Sequence, residues 1–122
     1  MRISAWFYSI NLQKSFDFYK KVFDLDEEDL KSSKGFSVPI GNHFELKIST
    51  EERPLNTGNI EINEANIGET YERFIKNHVT ETSESNPHKM KSSTFSGPWE
   101  YPDGMALFLK DPDNHSILFM EW

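Results

Sequence analysis

The last stretch of the chain, 108-FLKDPDNHSILFMEW-122, constrains the fold more than any other. An apolar run stops at Asp111-Pro112-Asp113-Asn114, and a second run continues to the final residue. Pro and the Asx residues favour a tight turn, so the two runs read as strands of a hairpin. From Ile117 to Met120 the second run is apolar at odd and even positions alike. Side chains alternate between the faces of a strand, so a strand apolar on both faces must be covered on both. The pattern predicts that Ile117 and Phe119 share one face of the strand, and Leu118, Met120 and Trp122 the other.

The rest of the chain supplies what such a strand needs. Residues 2–10 are rich in aromatic and β-branched residues and read as a strand. In 14-KSFDFYKKVFD-24 the apolar positions 16, 18, 19, 22 and 23 form one helical face, with Ser15 as a candidate N-cap and Asn11 opening a turn. Short strands are expected at 26–31, 35–40 and 43–49. Residues 51–57, polar and containing Pro, read as a linker. The order then repeats: a strand at 59–63, a helix over 67–79 carrying Ile67, Tyr71, Phe74, Ile75 and Val79 on one stripe, and a weak strand near 79–85. An irregular loop at 86–104 and strands at 105–110 and 115–122 complete it. This is one domain, 1–122, of two βαβββ units, 1–50 and 58–122.

Composition excludes several functions. The net charge is -7, with 13 Lys and Arg against 20 Asp and Glu. Such a balance is wrong for nucleic acid, whose phosphates demand basic surface. The chain has no Cys, which rules out disulfides, thiolate metal sites and Cys nucleophiles. No window approaches the about 18 apolar residues of a membrane span, and MRISAWFYSI is too short an apolar stretch for a signal peptide. A cytoplasmic location is expected. Aromatics make up 14% of the chain, enough large rings to build a core despite 36% hydrophobic content.

Three local sequences and the repeated order resemble the vicinal oxygen chelate superfamily, which includes glyoxalases, extradiol dioxygenases and bleomycin- and fosfomycin-resistance proteins. The stretch 12-LQKSFDFYKKVFDLD-26 is similar to its first helix, 71-YERF-74 to its second, and 97-GPWEYPDGMALFLKDPDNHSILFMEW-122 to its closing hairpin. The resemblance implies an α+β fold in which two βαβββ units form an open, curved mixed sheet with helices on the outer face. It also implies a homodimer.

Metal-dependent members hold a divalent ion with one residue from each of four strands. Matched to this sequence, those positions fall on Ser4, Glu45, Asn59 and Leu118. Glu45 alone is a competent ligand, and a hard or borderline ion needs three or four N or O donors. Neither a metal nor another cofactor is therefore expected, and no catalytic residue is assigned. Strand alternation places Ser4, Trp6 and Tyr8 on the cavity side of the first strand, opposite Ile3, Ala5 and Phe7. His43, Glu45 and Lys47 face away from the helix side, as do Asn59 and Glu61. Phe108, Leu118, Met120 and Trp122 join them, Ile117 and Phe119 pack outward under the helices, and Trp99 and Tyr101 sit in a loop over the groove.

His43 and Glu45, two apart on one strand face, are a candidate acid/base pair. His78 at a helix end, His88 in a polar loop and His115 in the turn read as structural or incidental. A ring-lined pocket with few polar groups suits a planar or amphipathic molecule, and Glu45 and Glu61 favour a cationic one, aided by the Trp faces. The leading expectation is a metal-free protein sequestering an aromatic or cationic small molecule, as bleomycin-resistance proteins do. A glyoxalase-like lyase, isomerase or dioxygenase-related enzyme on an oxygenated substrate is the alternative, and a sheet serving only dimerisation is a third.

Overall fold

The structure is a computed structural model that describes residues 1–51 and 58–122. The proposed linker therefore lies, apart from Glu51, outside the described residues. The elements in chain order are β1 (Ile3–Tyr8), α1 (Leu12–Phe23), β2 (Gly35–Ile40), β3 (Phe44–Ser49), β4 (Asn59–Ile62), α2 (Ile67–Lys76), β5 (Thr80–Glu81), β6 (Thr94–Tyr101), β7 (Gly104–Lys110) and β8 (Ser116–Glu121). They form an α+β fold with two open mixed sheets, ordered β1-β3-β2 and β4-β8-β7-β6-β5. In each, the first strand runs parallel to the last: β1 beside β3, β4 beside β8. The β8 strand lies inside its sheet, between β4 and β7, as its two apolar faces require.

Three expected elements differ. Residues 26–31 form no strand. Asp26 and Asp29 cap each other across a single 3-10 turn at Glu27–Asp29, and a run of four acidic residues favours that turn over a sheet. The first sheet thus has three strands against five in the second. The loop expected at 86–104 contains β6, the pairing partner of β7. Gly97-Pro98 interrupts its alternation and hid it in the sequence, because Pro inside a sheet is confined to edges and bulges. The weak strand near 79–85 shrinks to Thr80–Glu81. Asn11, not Ser15, caps α1, accepting from the Lys14 N–H. Ser15 is buried one turn in, its hydroxyl 2.6 Å from that of Ser9. Asn66 caps α2 in the same way.

Both helices cover one side of the sheets. Phe16 meets Phe36 edge-on at 5.2 Å, and Phe74 and Phe23 pack against Phe119 at 5.6 and 6.1 Å. Phe7, Leu46, Ile48, Leu107, Ile117 and Phe119 fill this core. Ile3, expected to pack with them, is 58% exposed, because no helix reaches the start of β1.

The Asp111–His115 turn ties the sheets together. Tyr19 of α1 donates its hydroxyl to Asp111 Oδ2 at 2.9 Å, while the Asp113 and His115 N–H groups donate to Oδ1. The His115 ring stacks on Phe7 at 4.3 Å. Its Nδ1 accepts from the Gly58 N–H at 2.7 Å, so the proton sits on Nε2, which donates to the Tyr8 carbonyl at 2.7 Å. Gly58 lies so close to Phe7 that an added Cβ would stand 2.1 Å from the ring. The helix ends are joined separately: Arg73 Nε donates to the Val22 carbonyl and Asn77 Nδ2 to that of Lys21.

Two outcomes follow from this turn. Tyr19→Phe leaves a buried carboxylate oxygen without its donor and should destabilise the chain by about 1–3 kcal/mol in urea unfolding. Burial pushes the Asp111 carboxyl above its ordinary range, against the opposing pull of its hydrogen bonds. The folded chain then holds that proton more tightly than the unfolded chain. The contribution is full below the ordinary carboxylate pKa and is lost as pH rises through the raised value. Asp111→Asn should remove that decline from the profile of melting temperature against pH.

Candidate functional site

The faces turned away from the helices are the candidate site. In the first sheet, Ser4 pairs with Glu45 and Trp6 with Lys47, while Ser37 of β2 completes the row of Lys47. In the second, Asn59 pairs with Ser116 and Glu61 with Leu118. Lys110 and Phe108 extend those two rows onto β7. Beyond Ser96 the β6–β7 register slips by one residue. That bulge keeps Trp99, three residues on, on the face that Ser96 occupies: the indole N–H donates to Ser96 Oγ at 3.0 Å. Met90, itself buried, receives the Ser96 hydroxyl on its sulfur at 3.8 Å and covers this outer wall.

Each candidate residue has a definite place. Trp6 is 42% exposed, and Tyr8, Glu45, Trp99, Phe108 and Leu118 are half-buried, whereas Met120 is buried. Ser4, His43 and Asn59 are exposed. Trp99 and Tyr101 stand on β6 rather than in a loop, with Tyr101 at the exposed end beside the turn to β7. Trp122 lies beyond β8, 64% exposed, and donates to the Asn63 side chain instead of lining the hollow.

The first sheet's inner face carries a chain of charges. Glu45 lies 3.4 Å from Arg2 and 3.5 Å from Lys47, and accepts from Ser4 at 3.3 Å. The Lys47 ammonium stands 4.8 Å from the centre of the Trp6 ring, a cation–π distance. A hollow of about 280 Å³ opens beside them, with Ser37 and Lys34 also in its wall. No hydrogen bond joins His43 to Glu45 among the described residues. In the second sheet, Lys110 donates to Ser116 Oγ at 2.9 Å, and Glu61 accepts from Asn63 at 3.1 Å.

These residues do not fit a divalent ion. Ser4 and Glu45 are direct cross-strand partners, but Leu118 faces Glu61 and Asn59 faces Ser116. The one carboxylate at the four family positions is already flanked by two cations, and the fourth position is a hydrocarbon. Among the described residues, no group of three His, Asp or Glu side chains comes together. Sequence reasoning overlooked Lys110, Ser96 and Met90 as site residues. Lys110 was within reach: it follows Phe108 by two residues on one strand and shares its face.

The geometry now has a context. The chain belongs to the Glyoxalase/Bleomycin resistance protein/Dioxygenase superfamily, whose model matches residues 6–119. Among solved structures, it resembles a glyoxalase/bleomycin resistance protein from Catenulispora acidiphila at 10% identity and TM-score 0.75, covering 100% of this chain and 98% of that one. An antibiotic binding protein from Streptomyces aligns at 16% identity and TM-score 0.67, over 99% and 94% of the two chains. A lactoylglutathione lyase from Agrobacterium tumefaciens aligns at 14% and 0.63, over 99% and 92%. Such identities establish the fold alone. No sequence match to a curated protein reaches significance.

Glu45 is half-buried, but its ion-pair partners Arg2 and Lys47 reach solvent, and pairs to solvated cations are worth little. Glu45→Gln should therefore shift the urea-unfolding free energy by less than about 1 kcal/mol.

Proposed function

We propose that this chain is a metal-independent small-molecule-binding protein that holds an aromatic compound in the groove between its inner faces, acting by sequestration. The observation that carries this reading is the pairing of an aromatic and apolar lining with an unfit donor set. Trp6, Tyr8, Trp99, Phe108, Leu118 and Met120 offer rings and hydrocarbon, while Ser4, Glu45, Asn59 and Leu118 stand where relatives would hold an ion. Ring-lined concavities with a few fixed polar groups suit planar ligands. The likeness to an antibiotic binding protein supports the reading at the level of fold.

The lyase, isomerase or dioxygenase-related alternative would need a free base. Glu45 is held by Arg2, Ser4 and Lys47, and His43 is exposed and not bonded to it. A cationic ligand would find the Trp6 face already occupied by Lys47, which leaves Glu61 as the acidic contact. The reading includes a cytoplasmic location; among the described residues, no helix is long and apolar enough to cross a membrane. It also includes a homodimer, for which the exposed Tyr101 and Trp122 rings supply apolar surface. Sedimentation should then give twice the chain mass.

The test is a thermal-shift screen of chelator-treated protein against neutral aromatic compounds, with and without Ni(II), Zn(II), Mn(II) and Fe(II). A ligand at about one hundred times its Kd should stabilise the fold by about 2.7 kcal/mol without any metal. Trp6→Ala and Phe108→Ala should weaken that shift. Stabilisation that appears only with a metal would overturn the reading.

A further inference from the structure

We infer that the groove selects aromatic ligands bearing one negative charge, an aromatic carboxylate being the fitting class, with the anionic group held between Lys47 and Lys110. This rests on the binding reading above and adds the sign of the charge.

The inner faces run against the character of the whole chain. Its net charge is -7. By parity and register, these faces carry Arg2, Lys47 and Lys110 against Glu45 and Glu61, and Lys34 and Glu51 line the hollow beside Lys47. Among the described residues, four cations against three carboxylates leave one positive charge over, which matches a monoanion. Glu45 takes both Arg2 and Lys47 as partners, so one carboxylate is shared by two cations. Lys110 is half-buried, and its only polar contact among the described residues is the neutral Ser116 hydroxyl; it forms no ion pair. Partial burial of an unpaired ammonium is unfavourable unless an anion joins it.

The two lysines share one level of the groove. In the second sheet, Lys110, Ser116 and Asn59 form a row; in the first, Trp6, Lys47 and Ser37 do. Gly58 packs on Phe7. The opposite end of β4, through Ile62 and Asn63, shares a hollow with Ile40 and Phe44, the latter paired with Ile3. β1 and β4 therefore run side by side in opposite senses, which sets Trp6 and Asn59, each one residue from the Phe7–Gly58 contact, at the same level. A ligand group beside Trp6 thus lies between the Lys47 and Lys110 rows, with the Ser37, Asn59 and Ser116 polar groups along the same level. The next row, with Phe108 and Leu118, is apolar but for Ser4 and the two carboxylates, so a carboxylate group is directed to the lysine row and hydrocarbon to the other.

Three matched probes test this on the full chain: 2-naphthoate, the neutral 2-naphthamide and the cationic 2-naphthylmethylammonium, each titrated by calorimetry. A charge-assisted contact should make the carboxylate bind about tenfold tighter than the amide or more, with the ammonium weakest. That lead should shrink as salt rises from about 0.05 M to 0.5 M. Lys47→Met and Lys110→Met, each checked for an unchanged melting transition, should lower carboxylate affinity toward that of the amide and leave the amide unaffected. Lys47 is partly exposed, so the first variant carries little risk to the fold. Equal binding of carboxylate and amide, or tightest binding of the ammonium, would overturn the charge assignment while the binding reading stands. Failure of all three probes to bind would count against both.

Discussion

One buried imidazole joins two sheets that, among the described residues, share no hydrogen-bonded strand pair. His115 accepts from the backbone N–H of Gly58, donates to the carbonyl of Tyr8 and stacks on Phe7. Both of its ring nitrogens are satisfied within the protein, and it is 1% exposed. Asp111 holds the turn that presents it, and Tyr19 anchors Asp111 from the first helix. Buried polar groups of this kind are stable only when every member is paired. No buried side-chain N or O among the described residues lacks a partner. The level at which the inner faces meet, and hence which side chains can touch one ligand, is set by these few contacts.

The helix side of the sheets is apolar and ring-packed; the groove side is mixed. On the first sheet it is a chain of alternating charges against an indole. On the second, hydrocarbon lies between a lysine and a glutamate. Coulomb interactions in such a half-buried hollow are stronger than on open surface. The polarity of the groove is therefore a more specific property than its outline, which many relatives share. Two proteins with one fold and similar openings can select ligands of opposite charge through two or three side chains.

The fold was legible in the sequence where periodicity was intact. The Asp-Pro-Asp-Asn turn, the two amphipathic helices and the doubly apolar last strand are local signals, and each maps directly onto structure. Reading failed where a backbone irregularity broke the period. Gly97-Pro98 concealed β6, and Trp99 was placed in a loop as a result. Residues 26–31 read as a strand, but their acidic start forms the 3-10 turn at Glu27–Asp29 instead. Site faces were partly legible: alternation put Ser4, Trp6, Glu45, Lys47, Asn59 and Leu118 on the groove side. What alternation cannot give is pairing across strands. Glu45 reads as a free acid from the sequence alone, whereas the structure sets Arg2 and Lys47 beside it. Trp122 was assigned to the hollow by extending the alternation one residue past the strand's end.

The family's metal positions show how register changes a chemical conclusion. A chelate needs donors converging on one point. In the first sheet, the hydroxyl of Ser4 and the carboxylate of Glu45 do converge, because their residues are direct partners. In the second, the residue opposite Leu118 is Glu61, and Asn59 lies one pair away, opposite Ser116. Replacing Leu118 alone with a carboxylate would set it beside Glu61 without a bridging ion, two like charges on adjacent strands, which is destabilising. The apolar residue at 118 is thus consistent with its own cross-strand partner. The same hydrocarbon, with Phe108 next to it, forms an apolar strip beside the row of Lys110, whose polar contact among the described residues is the neutral Ser116 hydroxyl.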